Sequence, residues 1–393
     1  MRVYLDHAAT TPVRPEVAAF LLEKMQAVGN PSSVHTFGQQ ARIDLESART
    51  QIASKLRCHP SEVVFTSGGT EGNNLAIIGL FEARNRVERR PKVLYLATEH
   101  HAVLEAVEHL EKTFNAEAIA IPVTRTGQVD LSWLAGYLEQ NAEQVALVSA
   151  IWANNESGTV IDIKSVTEIC KRFQIPVHSD AVAAVGHHEI DFAKSGVSTL
   201  AFTGHKIGAP IGVGALIVGR GVKIQSQLFG GSQERGIRPG TQNVPGALAL
   251  GLAVELACAD LDQQRRLWEV MRANLIEGVL SVAPEVEVVG EPLDSEPGLR
   301  LANIVDFMFP GCAGDSLLFL LDSAGVAISN GSACSAGVTS ASHVLLAHGF
   351  DSQQASGCVR VSFGWGSSLN DVDRFLAVLP EAHRKAKAAG FVS

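Results

Sequence analysis

The sequence predicts an α/β fold, with a large domain on a mostly parallel sheet joined to a smaller α+β domain. Three observations point there. The chain has 393 residues, more than one hydrophobic core usually holds. From about residue 60 to 220, short β-branched apolar runs alternate with helical patterns, as parallel strands linked by crossover helices do. Beyond about residue 245 this alternation gives way to one long helical stretch and then to strands and helices in mixed order.

The first region holds strand candidates at 62–65, 93–96, 145–148, 175–178, 199–202 and 213–218. Leu75, Ile78 and Phe81 recur at helical spacing just after the first of them. In the second region a helix is expected over 247–280, then strands at 286–289 and 304–307, a helix at 315–321 and a strand at 359–363. The expected division is a large domain over 13–255, with 1–12 and 256–393 forming the small one.

Composition narrows the function classes. The net charge is −9, and no Lys/Arg-rich block stands out to neutralise phosphates, so direct nucleic-acid binding is not expected. The basic stretch at 383–387 reads as the solvated face of a last helix. No unbroken apolar run reaches the roughly 18 residues of a membrane span. The N-terminal residues resemble neither a signal peptide nor a transit sequence, so the cytoplasm is the expected location and no membrane partner is expected. Cys58, Cys170, Cys258, Cys312, Cys334 and Cys358 are scattered without a CxxC pair, which fits neither a disulfide framework nor a zinc site. His187, His188 and His343 lack a ligand set, and no metal is expected.

The polar residues fall at strand ends. The run 65–75 reads as strand, Gly-rich turn and helix start, where backbone N–H groups at Gly69 and the Thr70 hydroxyl could cradle a phosphate. Alone, this turn reads equally as an ordinary strand-to-helix connection, since it matches neither the P-loop nor the dinucleotide fingerprint. Glu99-His100-His101 follows the second strand, Asn154-Asn155-Glu156 the third, Asp180 the fourth, and Thr203-Gly204-His205-Lys206 the fifth. In open α/β sheets ligands bind at the carboxyl ends of strands, so these groups together predict one site. A lysine for a Schiff base (Lys206), an acid for a protonated ring nitrogen (Asp180), a phosphate cup, and a histidine to stack or shuttle protons (His100) are what pyridoxal phosphate requires.

The chain resembles the cysteine desulfurases of the NifS/IscS type, within the class V aminotransferase fold, nearly end to end. The likeness rests on 4–12, Gly29-Asn30-Pro31-Ser32-Ser33-Val34-His35, the 67–74 turn, 98–104, Ala153-Asn154-Asn155-Glu156, His178-Ser179-Asp180-Ala181, Gly204-His205-Lys206, Arg238-Pro239-Gly240-Thr241 and Gly331-Ser332-Ala333-Cys334. It implies a pyridoxal-phosphate-dependent, aminotransferase-like fold of type I. It also implies roles: Lys206 holding the cofactor, Asp180 facing the ring nitrogen, His100 on the ring, and Asn155 at its phenolic oxygen. Gly69, Thr70, Thr203 and His205 would take the phosphate, with Thr241 reaching over from the other subunit of a homodimer. Arg360 would clamp the substrate carboxylate, with Asn155 as a second substrate-binding residue. One position departs: the family usually carries Gln three residues after the aspartate, and here that residue is Ala183.

Cys334 lies among glycines and small residues, a composition that predicts a mobile surface loop and an exposed thiol. From composition alone a chance surface thiol explains it as well as a nucleophile does. The resemblance makes it the acceptor of sulfur from L-cysteine, forming a persulfide and leaving L-alanine, with delivery to an iron–sulfur scaffold or thiolation protein. A selenocysteine lyase or an aminotransferase on the same fold, or a catalytically silent scaffold in a sulfur-transfer complex, are the alternatives.

Overall fold

The computed structural model describes residues 2–296, 298–331 and 341–390. Near the N-terminus Val3–Tyr4 form β1. The central sheet has seven strands: β2 (Val63–Thr66), β3 (Lys92–Leu96), β4 (Glu117–Ile121), β5 (Val145–Ser149), β6 (Val177–Asp180), β7 (Thr199–Thr203) and β8 (Gly214–Val218), in the order β2-β8-β7-β6-β5-β3-β4. β8 runs antiparallel to both its neighbours, and every other pairing is parallel. β2 and β7 therefore point the same way, and the carboxyl ends of β2, β3, β5, β6 and β7 share one rim.

The sheet is buried on both faces, as parallel sheets are. Along β3, Leu94 and Leu96 join the main core, while Val93 and Tyr95 pack on the opposite face with Leu110 of the helix His101–Phe114. The same two-residue period runs through β7, where Leu200 and Phe202 face the main core and Ala201 faces the helix Gly69–Asn85. β4 was not among the sequence-based strands. It is an edge strand of alternating Ala and Ile with only Ile121 buried, so its hydrophobic signal is weak.

A three-stranded antiparallel sheet stands beside it: β9 (Glu287–Val288), β10 (Ile304–Met308) and, after β11 (Val326–Ala327), β12 (Cys358–Ser362), in the order β12-β10-β9. β11 pairs in parallel with β1, which ties the N-terminus to this region. Val3, Leu5, Phe307, Phe363 and Phe375 fill a second core here.

The helix Val244–Val282 links the two cores. Ala247, Leu250 and Val254 pack in the first, and Trp268, Leu275 and Val279 in the second. By length and composition it is also the one helix among the described residues apolar enough to cross a bilayer, but half of that window is buried inside the protein, as expected of a core helix.

Candidate active site

Gly69, Thr70, His100, Asn155, Asp180, Thr203, His205, Lys206 and Arg360 line one cavity of about 260 Å³ at the shared rim. Larger hollows exist elsewhere. One of about 770 Å³ lies beside the residues that precede β6 and β7, and holds none of these groups. Chemistry, not size, selects the rim cavity.

Each wall follows from its strand. β2 ends at Thr66, whose hydroxyl donates to Gly68 O at 3.0 Å, and the 17-residue helix Gly69–Asn85 starts at once. A Cβ on Gly69 would stand 2.5 Å from Val182 Cγ2. Across the turn, a Cβ on Gly214 of β8 would stand 2.8 Å from Gly68 Cα, so both glycines are needed for this close approach. The helix N-terminus, at Gly69 and Thr70, thus opens to the cavity, where the first backbone N–H groups of a helix can serve as donors. Glu71 in its first turn accepts from Ser67 N at 2.7 Å and pairs with Arg238 at 2.6 Å, tying the 238–241 stretch to the same turn.

Asp180 ends β6, almost wholly buried, and both its oxygens are satisfied: Asn73 Nδ2 donates at 2.6 Å and Val182 N at 2.8 Å. Asn73 is itself fixed by His178, whose Nε2 lies 3.0 Å from Asn73 Oδ1 while Nδ1 lies 2.9 Å from Thr199 Oγ1. Burial pushes the His178 pKa down to about 3, so the ring is neutral. With Nε2–H donating to Asn73 Oδ1, the Asn73 amide can only turn its N–H toward Asp180. Sequence reasoning missed this second tier. Its signal was Asn73 one helical turn past Gly69 and His178 on the same strand face as Asp180.

His100 caps the helix His101–Phe114, its Nδ1 accepting from Ala102 N at 3.1 Å. That bond leaves the ring proton on Nε2, and burial, assisted by Lys206, holds the ring's pKa below its usual value. Behind it Glu99 is fully buried and accepts from Ser149 Oγ at 2.8 Å; burial first, then Asp180, pushes its pKa up to about 8.

β7 delivers Thr203, His205 and Lys206. Lys206 Nζ donates to Ala8 O, and His205 Nδ1 lies 3.2 Å from Thr10 Oγ1, so the N-terminal segment packs over this loop. Burial, then Lys206, lowers the His205 pKa to about 4. On the opposite wall Arg360 of β12 donates from Nη1 to Asn155 O at 2.9 Å and from Nη2 to Asp6 Oδ1 at 2.8 Å.

Thr241 is exposed and does not line the cavity in a single chain. Cys334 lies outside the described residues. Among the other cysteines Cys170, Cys312 and Cys358 are buried, and Cys58 and Cys258 partly so. Trp152 and Phe202 belong to the main core. His187 packs on Trp268, and His343 Nε2 lies 2.8 Å from Glu99 O.

A strand-rim cavity with lysine, acid and helix N-terminus, beside an arginine from a second sheet, defines the class of enzyme to which the chain is similar. Residues 3–375 match the family described as aminotransferase class-V. The chain is 42% identical over 391 residues to the IscS-like cysteine desulfurase of Mycobacterium tuberculosis, covering 99% of this chain and 98% of that protein. Among solved structures, a NifS-like protein superposes with a TM-score of 0.88 at 33% identity, over 97% of this chain and 99% of that one. SspA in complex with cysteine superposes with a TM-score of 0.77 at 29% identity, over 92% and 98%. The chain belongs to the aminotransferase class-V family and, within it, to the cysteine desulfurases of the NifS/IscS type.

Proposed function

We propose that this protein removes sulfur from L-cysteine, using pyridoxal phosphate held on Lys206 and Cys334 as the first sulfur acceptor, and releases L-alanine. The observation that carries the reading is the single cavity that Lys206, Asp180, His100, the Gly69 helix start and Arg360 share.

The donor set fits that cofactor. The Gly69 turn leaves room where a Cβ would collide with Val182, and Thr70, Thr203 and His205 surround the helix N-terminus that would take a phosphate. Asp180, held by Asn73 and Val182, would keep a proton on the ring nitrogen, and Asn155 would meet the phenolic oxygen. When bound, pyridoxal phosphate supplies an electron sink for the pair left when the Cα proton departs. Arg360 orients the substrate carboxylate, and Lys206 Nζ takes the Cα proton. The Cys334 thiolate then attacks the substrate sulfur. A sulfur–sulfur bond forms as the carbon–sulfur bond breaks, and the electron pair stays with the carbon skeleton, which is protonated and leaves as alanine. No external oxidant is required.

The finer assignments belong to the same reading. The cofactor domain spans 13–255, and 1–12 with 256–393 form the domain that carries Cys334. Exposed Val34, Phe37, Ile211 and Phe229 suit a homodimer interface, with Thr241 offered to the partner's phosphate site. The enzyme works in the cytoplasm, and its persulfide goes to an iron–sulfur scaffold or a thiolation protein.

The test is alanine formed from L-cysteine with a reductant present, in the wild type and in Cys334→Ala. Alanine and sulfide together in the wild type, both lost in the variant, support the reading. Alanine that persists without Cys334 removes the persulfide step, and absence of alanine from both overturns the activity.

A further inference from the structure

Glu156 sits in the turn after β5, next to Asn155, with its carboxylate fully buried. Its Oε2 accepts from Ser342 Oγ at 2.5 Å. A Cβ built on Gly331 would stand 2.8 Å from the same oxygen, at a φ of +78°. Residues 331 and 342 flank the stretch that contains Cys334, so one carboxylate oxygen is hydrogen-bonded to the chain on one side of it and closely approached by a glycine on the other.

The contacts continue into the cavity wall. Arg360 Nη1 donates to Asn155 O, one residue before Glu156. Ser329 and Arg360 exchange backbone hydrogen bonds, at 3.1 Å from Ser329 N and 2.6 Å from Arg360 N. Ser342 caps the helix His343–Ala347, and the next residue, His343, reaches Glu99 O behind His100. The two stems are thereby registered to the arginine and to the histidine of the cavity.

A buried acid is a costly way to hold a serine, and the cation near it, Arg360, spends its Nη donors on Asp6 and Asn155. A plain anchor would be served as well by an amide. The position of Glu156 between both stems and the substrate wall supplies a reason for it.

We propose that Glu156 is a positioning residue for sulfur transfer, fixing the two stems of the Cys334 stretch against the Arg360 wall without touching substrate or cofactor. The proposal rests on the desulfurase reading above. A displacement of about 1 Å between reacting groups can cost up to about a hundredfold in rate, so loss of the clasp should fall on the sulfur step alone.

The experiment uses the cofactor-loaded enzyme in single turnover with Cα-deuterated L-cysteine. Loss of deuterium reports the proton step at Lys206, and mass spectrometry of Cys334 reports the persulfide. For Glu156→Ala we expect deuterium loss within about twofold of wild type and persulfide formation slowed by about tenfold or more. Glu156→Gln, which keeps size and an acceptor oxygen, should recover part of that loss. Ser342→Ala leaves Glu156 in place, tests the same bond should Glu156→Ala fold poorly, and should show the same selectivity at about threefold. Equal slowing of both readouts, or of neither, in the folded variants overturns the proposal. Cys334→Ala separates the two claims: if it still yields alanine, the persulfide step on which the proposal rests has failed, whereas a clean loss with unselective Glu156 and Ser342 variants sinks the positioning role alone.

Discussion

Asp180 and Asp306 are both buried carboxylates on strands, and they are treated in opposite ways. Asp180, at the rim of the large sheet, receives two N–H donors, one of them oriented by a neutral histidine. Asp306, in β10 of the small sheet, has no hydrogen-bond partner on either oxygen among the described residues, although Arg360 lies opposite it in β12. Burial, reinforced by Glu156, pushes the Asp306 pKa up to about 7, and burial lifts Glu156 to about 7 as well. At Asp306 no donor among the described residues offsets desolvation, which favours the proton. Asp180 is thus a pre-oriented acid at the cavity, whereas Asp306 in the small sheet, with Glu156 near it, takes up a proton near neutrality.

The sharpest way to break this contrast is at Asp180. Asp180→Ala should lower alanine formation from L-cysteine by about a hundredfold or more, since the group acts where charge develops. Activity above a tenth of wild type would remove the functional distinction between the two acids. Asn73→Ala tests the second tier. It deletes one of the two donors to Asp180 and leaves His178 unpartnered on Nε2, so it should cost about 1–3 kcal/mol in urea unfolding and weaken cofactor retention.

Asp306→Asn sharpens the other side. The folded pKa of Asp306, about 7, lies above the unfolded value of about 3.9, so the native state binds an extra proton between them. Stability from this group is full below about pH 4 and is lost as pH rises to about 7. Asparagine cannot ionise. Relative to wild type the variant should therefore gain stability progressively over that window, on the order of 4 kcal/mol by pH 7. A stability difference that stays flat from pH 4 to 7 in urea titrations would show that Asp306 does not hold the proton.

How much of this the sequence carried follows the same divide. The rim was legible because each of its polar groups closes or follows a strand whose apolar run is easy to see, as with Asp180 at the end of β6 and Lys206 after β7. Asn73, His178, Asp6 and Glu156 were quoted only as parts of motifs, because their work is to hold other side chains and no period or spacing marks that. Asp306 was hidden differently, as one polar residue in a strand of five buried positions. β1 and β11 are two-residue strands that exist through the Val3–Val326 pairing, a contact between residues far apart in the chain that no local pattern announces.

The smallest expected effect concerns Ala183, which lines the cavity two residues before Val185 and just past the Val182 that donates to Asp180. Relatives of this type usually carry an amide there, and the methyl group of alanine gives no donor to the phenolic oxygen of a bound cofactor. Asn73 and Asn155 are the amide side chains among the described residues that line the cavity. Restoring the donor with Ala183→Gln should favour the charged form of that oxygen and shift the pH midpoint of the cofactor's absorbance by up to about one unit, with turnover changed only about twofold. The downward direction is specific to a donor. Ala183→Leu, which fills similar space without one, should leave the midpoint or raise it through desolvation, so equal shifts in both variants would assign the effect to volume rather than to the missing hydrogen bond.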